Sequence, residues 1–146
     1  MIAVDTNILV HAHRRDASLH GRARPLLQEL AEAPTPWAIC YHSLVEFHAV
    51  ATRRGLWPKP STPAEAWNQI SAWRESPSLR ILYDSEACLG LLQAAALGQQ
   101  VTGGMIHDAR IAVCCQVNGI AELWTVDRDF SRFPQLRCRN PLSRGG

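Results

Sequence analysis

The sequence predicts an α/β chain: a three-layer α/β/α domain around a mostly parallel central sheet of four or five strands. Three observations predict it. Short apolar runs alternate with stretches of helical periodicity, as strand–helix–strand crossovers require. Several of these runs end on an acid or lead into a helix that carries one. The 146 residues, 47% of them hydrophobic, can fill one core.

Met1 to Val4 is an apolar run and reads as the first strand. A helix follows over Thr6–Arg14, with Thr6 or Asn7 near its cap. Leu19–Ala33 is a second helix: Leu26, Leu27, Leu30 and Ala31 form its stripe, Pro25 fits a first turn, and Pro34 and Pro36 end it. W-A-I-C-Y at Trp37–Tyr41 is the second strand, and His42–Arg54 is the next helix, carrying Glu46. Gly55, Pro58, Pro60 and Pro63 make 55–63 a loop. Helix resumes over Ala64–Glu75, with Trp67, Ile70 and Trp73 at a spacing of three. Leu79–Leu82 is the third strand. Ser85 and Glu86 open a helix to Leu97, with Gly98 as its C′ residue. Gly103 and Gly104 form a joint before a helix over Met105–Val117, which Asn118 and Gly119 end. Ala121–Val126 is the fourth strand and Leu136–Arg139 a possible fifth. The expected organisation is a single domain over 1–146, with the helical region 56–78 inserted between its elements.

Composition narrows the function classes. No run reaches the roughly 18 continuous apolar residues of a membrane span. The start, M-I-A-V-D-T-N, has no basic n-region or cleavage pattern, so a cytoplasmic protein is expected. Five cysteines stand in no C-x-x-C pair and read as buried reduced thiols. The six histidines are scattered, and His11 and His13 point to different helix faces. Net charge is +2, with Lys59 the sole lysine, so the basic side is arginine, whose planar guanidinium suits phosphate.

The acids are placed more tellingly. Asp5 ends the first strand and Asp127 follows the fourth. Glu46 lies in the early turns of the helix after the second strand, and Asp108 in the first turn after the Gly-Gly joint. Ligands of open α/β sheets bind at the carboxyl ends of strands, where strand order reverses. Carboxylates converging there raise one another's pKa, and a divalent cation relieves the repulsion. Oxygen donors favour Mg²⁺ or Mn²⁺ over Zn²⁺. Whether one ion or two bind is left open. Each acid also has an ordinary role available: Asp5 as a helix cap, Glu46 as an exposed helix acid, Asp108 as a dipole partner, Asp127 and Asp129 as turn formers.

I-A-V-D-T-N, the helix with V-E-F, I-H-D-A-R-I-A, T-V-D-R-D-F and the tail F-P-Q-L-R-C-R-N-P-L occur in this order across nearly the whole chain. In this the chain resembles PIN-domain ribonucleases, in particular the toxin component of VapBC type II toxin–antitoxin systems. The resemblance implies a PIN-like fold and a Mg²⁺-dependent endoribonuclease (Mn²⁺ being the alternative ion) that hydrolyses RNA with water as nucleophile. It implies Asp5, Glu46, Asp108 and Asp127 as catalytic metal ligands, with Asp129 at a second ion or supporting the first. Asn7 and Thr125 match its polar helpers, and Ser43 is a weaker candidate. It further implies a VapB-type antitoxin partner that blocks the site, and a homodimer that builds larger assemblies with it.

Arg14, Arg15, Arg110, Arg128 and Arg132 are candidate RNA contacts around the acids, holding the backbone of a single-stranded substrate. Each has a plain alternative as a solvated or salt-bridged side chain. His107 has RNA contact or a structural hydrogen bond open to it. Trp57, Trp67 and Trp73 read as core packing or as a groove for an antitoxin helix. Competing functions are a PIN nuclease of housekeeping RNA processing and a non-catalytic RNA- or protein-binding PIN module. A haloacid-dehalogenase-type phosphatase would need a second Asp where Asn7 stands.

Overall fold

The structure, a computed structural model, describes residues 1–144. The expected boundary of 1–146 ends on Gly145 and Gly146, which lie outside the described residues. In chain order the elements are β1 (Ile2–Val4), α1 (Thr6–His13), α2 (His20–Glu32), β2 (Trp37–Cys40), α3 (Tyr41–Ala51), α4 (Pro63–Arg74), β3 (Leu79–Leu82), α5 (Cys88–Gly98), α6 (Met105–Val117), β4 (Glu122–Trp124), a 3₁₀ turn (Arg128–Arg132) and β5 (Arg137–Arg139).

The strands form one five-stranded sheet, ordered β3-β2-β1-β4-β5, with every pairing parallel. Alternate strand residues face opposite sides, and each side carries its own core. Val4, Trp37, Ile39 and Trp124 pack under α1, α2, α3 and α4. Ala3, Ala38, Cys40 and Leu123 pack under α6, together with Phe130 and Phe133. The layers are therefore helices, sheet, helices, as the alternation predicts. Phe47 is fully buried, with its ring edge-on to Trp73 at 4.9 Å and to His13 at 5.2 Å. Burying such a side chain contributes about 1.5–3 kcal/mol, so this contact holds α4 against α1 and α3.

Strand order reverses beside β1: the chain adds β2 and β3 on one side, then returns to place β4 on the other. The crevice above β1 and β4 is thus the ligand position of such sheets. The Asp5 amide donates to the Trp124 carbonyl at 2.9 Å, carrying the ladder up to the first acid.

Several boundaries differ from expectation for local reasons. Asp5 caps α1, in place of Thr6 or Asn7, because its Oδ1 accepts from the Thr6 amide at 2.8 Å. Pro25 lies inside α2, beyond the first turn, because the helix begins at His20. Tyr41 opens α3 and leaves β2. The helix expected at Ser85 begins at Cys88; Ser85 opens a single turn before it, its carbonyl accepting the Cys88 amide at 3.0 Å. Gly98 is the last residue of α5, and the left-handed residue after it is Gln100, at φ 50°. The Val101 amide reaches back to the Ala96 carbonyl at 2.9 Å, which closes the helix around that residue. Thr62 and Glu65 form a reciprocal capping box at the start of α4.

Candidate active site

Four elements deliver the acids to the carboxyl edge. Asp5 is held between β1 and α1, and Glu46 projects from α3 in one helical layer. Asp108 lies in the first turn of α6 in the other layer. Asp127 follows β4 and caps the 3₁₀ turn that carries Asp129. Carboxylate oxygens of Asp108, Asp127 and Asp129 all lie within 4.8 Å of one another.

Asp129 arrives through a turn, the ordinary role that the sequence left open to Asp127 and Asp129. An extended chain would alternate Asp127 and Asp129 on one face. Instead Asp127 Oδ1 accepts the Asp129 amide at 2.8 Å and winds the chain into the turn. Phe130 and Phe133 are buried beneath it.

Asp5 is the buried member. Its Oδ2 accepts from Thr125 Oγ1 at 2.8 Å and from Asn7 Nδ2 at 3.2 Å. Asn7 Nδ2 also donates to Thr125 Oγ1 at 3.0 Å, and Thr125 Oγ1 accepts the Asp127 amide at 3.0 Å. Asn7 and Thr125 therefore tie the ends of β1 and β4 together. Ser43 does not join them: it is fully buried, and its Oγ has no hydrogen-bond partner among the described residues.

Burial pushes the Asp5 carboxyl up to about 7; the bonds from Thr125 and Thr6 counter this in part, and the charges of Asp108 and Glu46 add to it. Burial also raises Asp108 to about 6, reinforced by Asp127, Glu46 and Asp129. Glu46 is raised by burial as well. Three carboxyls that resist ionisation at one edge are what a bound cation would relieve.

Glu46 supplies a direct test of fit to a cation. Its Oε2 is 3.5 Å from Thr6 Oγ1, whereas its Oε1 is buried and makes no hydrogen bond. His42 Nε2 lies 2.8 Å from that oxygen but is turned toward His107 Nδ1, 3.0 Å away. A buried carboxylate oxygen whose imidazole neighbour is turned to another partner, at the same edge as three clustered aspartates, suits a divalent ion. The hard oxygen donors fit Mg²⁺ or Mn²⁺.

The arginines divide. Arg14 and Arg15 stand at the far end of α1 from Asp5, about 12 Å along an eight-residue helix, and not beside the acids. Arg14 is committed there: it pairs with Asp16 at 2.7 Å, donates to Ser61 Oγ at 3.1 Å and lies over the Trp57 ring at 4.6 Å. Both line a cavity of about 760 Å³ bounded by α1, α2 and α4. Arg110 is paired with Asp84 at 2.8 Å and donates to His42 Nδ1 at 3.1 Å. Arg128 is exposed on the 3₁₀ turn, and Arg132 reaches Met105 Sδ at 3.3 Å. Of the tryptophans, Trp73 is buried, Trp57 donates to the Val50 carbonyl, and Trp67 is 54% exposed.

His42 and Asp84 were not singled out in the sequence. His42 had a readable signal, standing four residues before Glu46 on one helix face. Asp84 had none, because only the fold brings it to Arg110. His107 meets His42 edge to edge, with nitrogens 3.0 Å and ring centroids 5.1 Å apart.

The family model of the PIN domain matches residues 2–136. The chain belongs to the PIN-domain family. Among its curated relatives, it is 34% identical over 142 residues to the VapC ribonuclease Mb2897 of Mycobacterium bovis, covering 97% of this chain and 96% of the relative. It is 31% identical over 143 residues to ribonuclease VapC31 of Mycobacterium tuberculosis, covering 97% and 100%. Of solved structures, VapBC2 from Rickettsia felis bound to a promoter DNA fragment superposes with a TM-score of 0.68 at 21% identity, covering 96% of this chain and 98% of that one. VapC20 of Mycobacterium tuberculosis, a toxin that cleaves the sarcin-ricin loop, gives 0.68 at 21% identity, covering 90% and 93%. These structural likenesses bear on the fold.

Proposed function

We propose that this chain is a divalent-metal-dependent endoribonuclease and the toxin of a VapBC-type toxin–antitoxin pair. The observation that carries the reading is the acid edge: Asp108, Asp127 and Asp129 within 4.8 Å of one another, with the raised carboxyls of Asp5 and Glu46 at the same edge. The VapC ribonucleases among its relatives support RNA as substrate.

Asp5, Glu46, Asp108 and Asp127 would hold the ion, Mg²⁺ or Mn²⁺, with Asp129 as a further ligand. When bound, the ion supplies Lewis-acid stabilisation of a phosphodiester and lowers the pKa of water. Asn7 and Thr125 orient Asp5 through the bonds described above. No residue of the chain is needed as a covalent nucleophile. Arg128 and Arg132, beside Asp127 and Asp129, are the arginines best placed for the RNA backbone. We infer that the chain is one domain, with the α4 region as an insertion.

The partner reading is a VapB-type antitoxin, supported by VapBC assemblies among the structural neighbours. The cavity beside α4, with Trp73 in its wall and Trp67 exposed on the same helix, is a seat for its segment. The toxin reading also carries a homodimer and a cytoplasmic location; among the described residues no helix is long and apolar enough to cross a membrane.

Expression of the chain alone tests the toxin role. Growth should arrest, and Asp5→Asn should relieve it. Arrest that persists with Asp5→Asn would overturn the assignment.

A further inference from the structure

Beside the carboxylate cluster lies a group with different donor chemistry. His42 Nε2 is 2.8 Å from Glu46 Oε1 and 3.0 Å from His107 Nδ1, and the three residues offer ligand atoms all within 4.8 Å. We propose that His42, His107 and Glu46 form a second cation site, selective for a borderline ion such as Zn²⁺, which shares Glu46 with the carboxylate cluster.

Donor type comes first. Two imidazole nitrogens and one carboxylate oxygen are a zinc-binding set with a position left open, whereas Mg²⁺ prefers oxygen alone. Distance comes second. Bonds of about 2.0–2.1 Å around a tetrahedral ion put neighbouring ligand atoms about 3.3 Å apart. The 2.8 and 3.0 Å gaps from His42 Nε2 to Glu46 Oε1 and His107 Nδ1 would widen by a few tenths of an ångström, and the two rings would turn to aim both nitrogens at the ion. Third, Glu46 Oε1 is buried, and its 2.8 Å neighbour His42 Nε2 is itself a ligand atom of the proposed site, so the carboxylate is already drawn to the place the ion would take.

Arg110 acts against the ion. A guanidinium only donates, so its 3.1 Å bond makes His42 Nδ1 the acceptor and puts the ring proton on Nε2, toward His107. An ion on Nε2 requires that proton on Nδ1, and Arg110 Nη1 must turn away. Arg110 keeps its two contacts to Asp84 Oδ2, each 2.8 Å, so the site can open without releasing the side chain. His107 needs no such change, because its Nδ1 already accepts. Arg110 therefore tunes affinity from outside the ligand set, as groups behind metal ligands do.

The shared ligand links this site to the acid edge. An ion held by His42 and His107 occupies Glu46 Oε1 and withdraws that oxygen from the cluster at Asp108. Zinc should then inhibit the magnesium-supported reaction. This consequence rests on the ribonuclease reading; the ion site itself does not.

Calorimetric titration of the full chain with ZnCl₂ in excess MgCl₂ separates the two. The expected result is one Zn²⁺ per chain, weakened about tenfold or more by His42→Ala or His107→Ala. Arg110→Gln should tighten it, and Asp127→Asn should leave it in place. Co²⁺ in the same site should show the visible absorption of a tetrahedral ion. Equal zinc affinity in the wild type and the double histidine variant would overturn the site. So would a loss in Asp127→Asn as large as in His42→Ala, which would put the ion among the aspartates. In RNA cleavage, zinc should inhibit the wild type and have little effect on His107→Ala, each measured against its own zinc-free rate. If the wild type cleaves no RNA, the ribonuclease reading fails while the titration still decides the site.

Discussion

Asp5 caps a helix, accepts two side-chain hydrogen bonds and sits within electrostatic reach of Asp108 and Glu46, all while 6% exposed. Its carboxyl rises from 3.8 to about 7 on folding, so between those values the folded protein keeps a proton that the unfolded chain releases. Stability of the metal-free protein is therefore full below pH 3.8 and falls as pH rises to about 7. Asp108 acts in the same direction. Asp5→Asn keeps the cap and removes the penalty. In EDTA it should stabilise the protein more at pH 8 than at pH 5, by about 2 kcal/mol in urea unfolding. A pH-independent difference would contradict the assignment of the shift. Thr125 contributes in the opposite sense. Thr125→Val removes a hydroxyl that contacts Asp5, Asn7 and the Asp127 amide, and should cost about 1–3 kcal/mol. The acids were legible in the sequence because strand ends and helix starts can be counted. The His42–Glu46–His107 group was not, because it depends on how α3 and α6 face each other across two layers.

Helix and strand cores were legible for the same reason, since each apolar run has a period. The ends were less so, because side chains settle them. Ser85 opens only a single turn, its carbonyl accepting the Cys88 amide, before α5 proper begins. T-V-D-R-D-F looks extended until Asp127 accepts the Asp129 amide and curls it. The two Schellman-type ends make an instructive pair: α6 closes on Gly119 at φ 66°, whereas α5 closes on Gln100 at φ 50°. A left-handed non-glycine residue costs about 1–2 kcal/mol. Gln100 recovers part of this by donating from Nε2 to the Leu97 carbonyl at 3.0 Å. Gln100→Gly should stabilise the protein by about 0.5–1 kcal/mol, seen as a higher urea midpoint at constant m-value. At the start of α4, Thr62→Ala breaks the capping box and should cost about 1 kcal/mol.

Across the whole molecule, function follows from the order β3-β2-β1-β4-β5. The reversal beside β1 puts the acids at one carboxyl edge that both helical layers reach, Glu46 from one and Asp108 from the other. The acids therefore meet only in the folded chain, which holds three raised carboxyls at one edge. Mg²⁺ should raise the melting temperature in pH 8 buffer, and EDTA should reverse it, as expected of an ion that would bind the folded site and not the unfolded chain. The parallel sheet and its layers could be read from alternation alone. The cavity at the far end of α1 could not, since it is walled by α1, α2 and α4 together. The most direct test of the central claim is cleavage of single-stranded RNA by the purified chain, followed with Mg²⁺, with EDTA, and with Asp108→Asn. Cleavage that requires Mg²⁺ and falls at least about a hundredfold with Asp108→Asn is the predicted result. Undiminished cleavage in EDTA, or by folded Asp108→Asn protein, would contradict it.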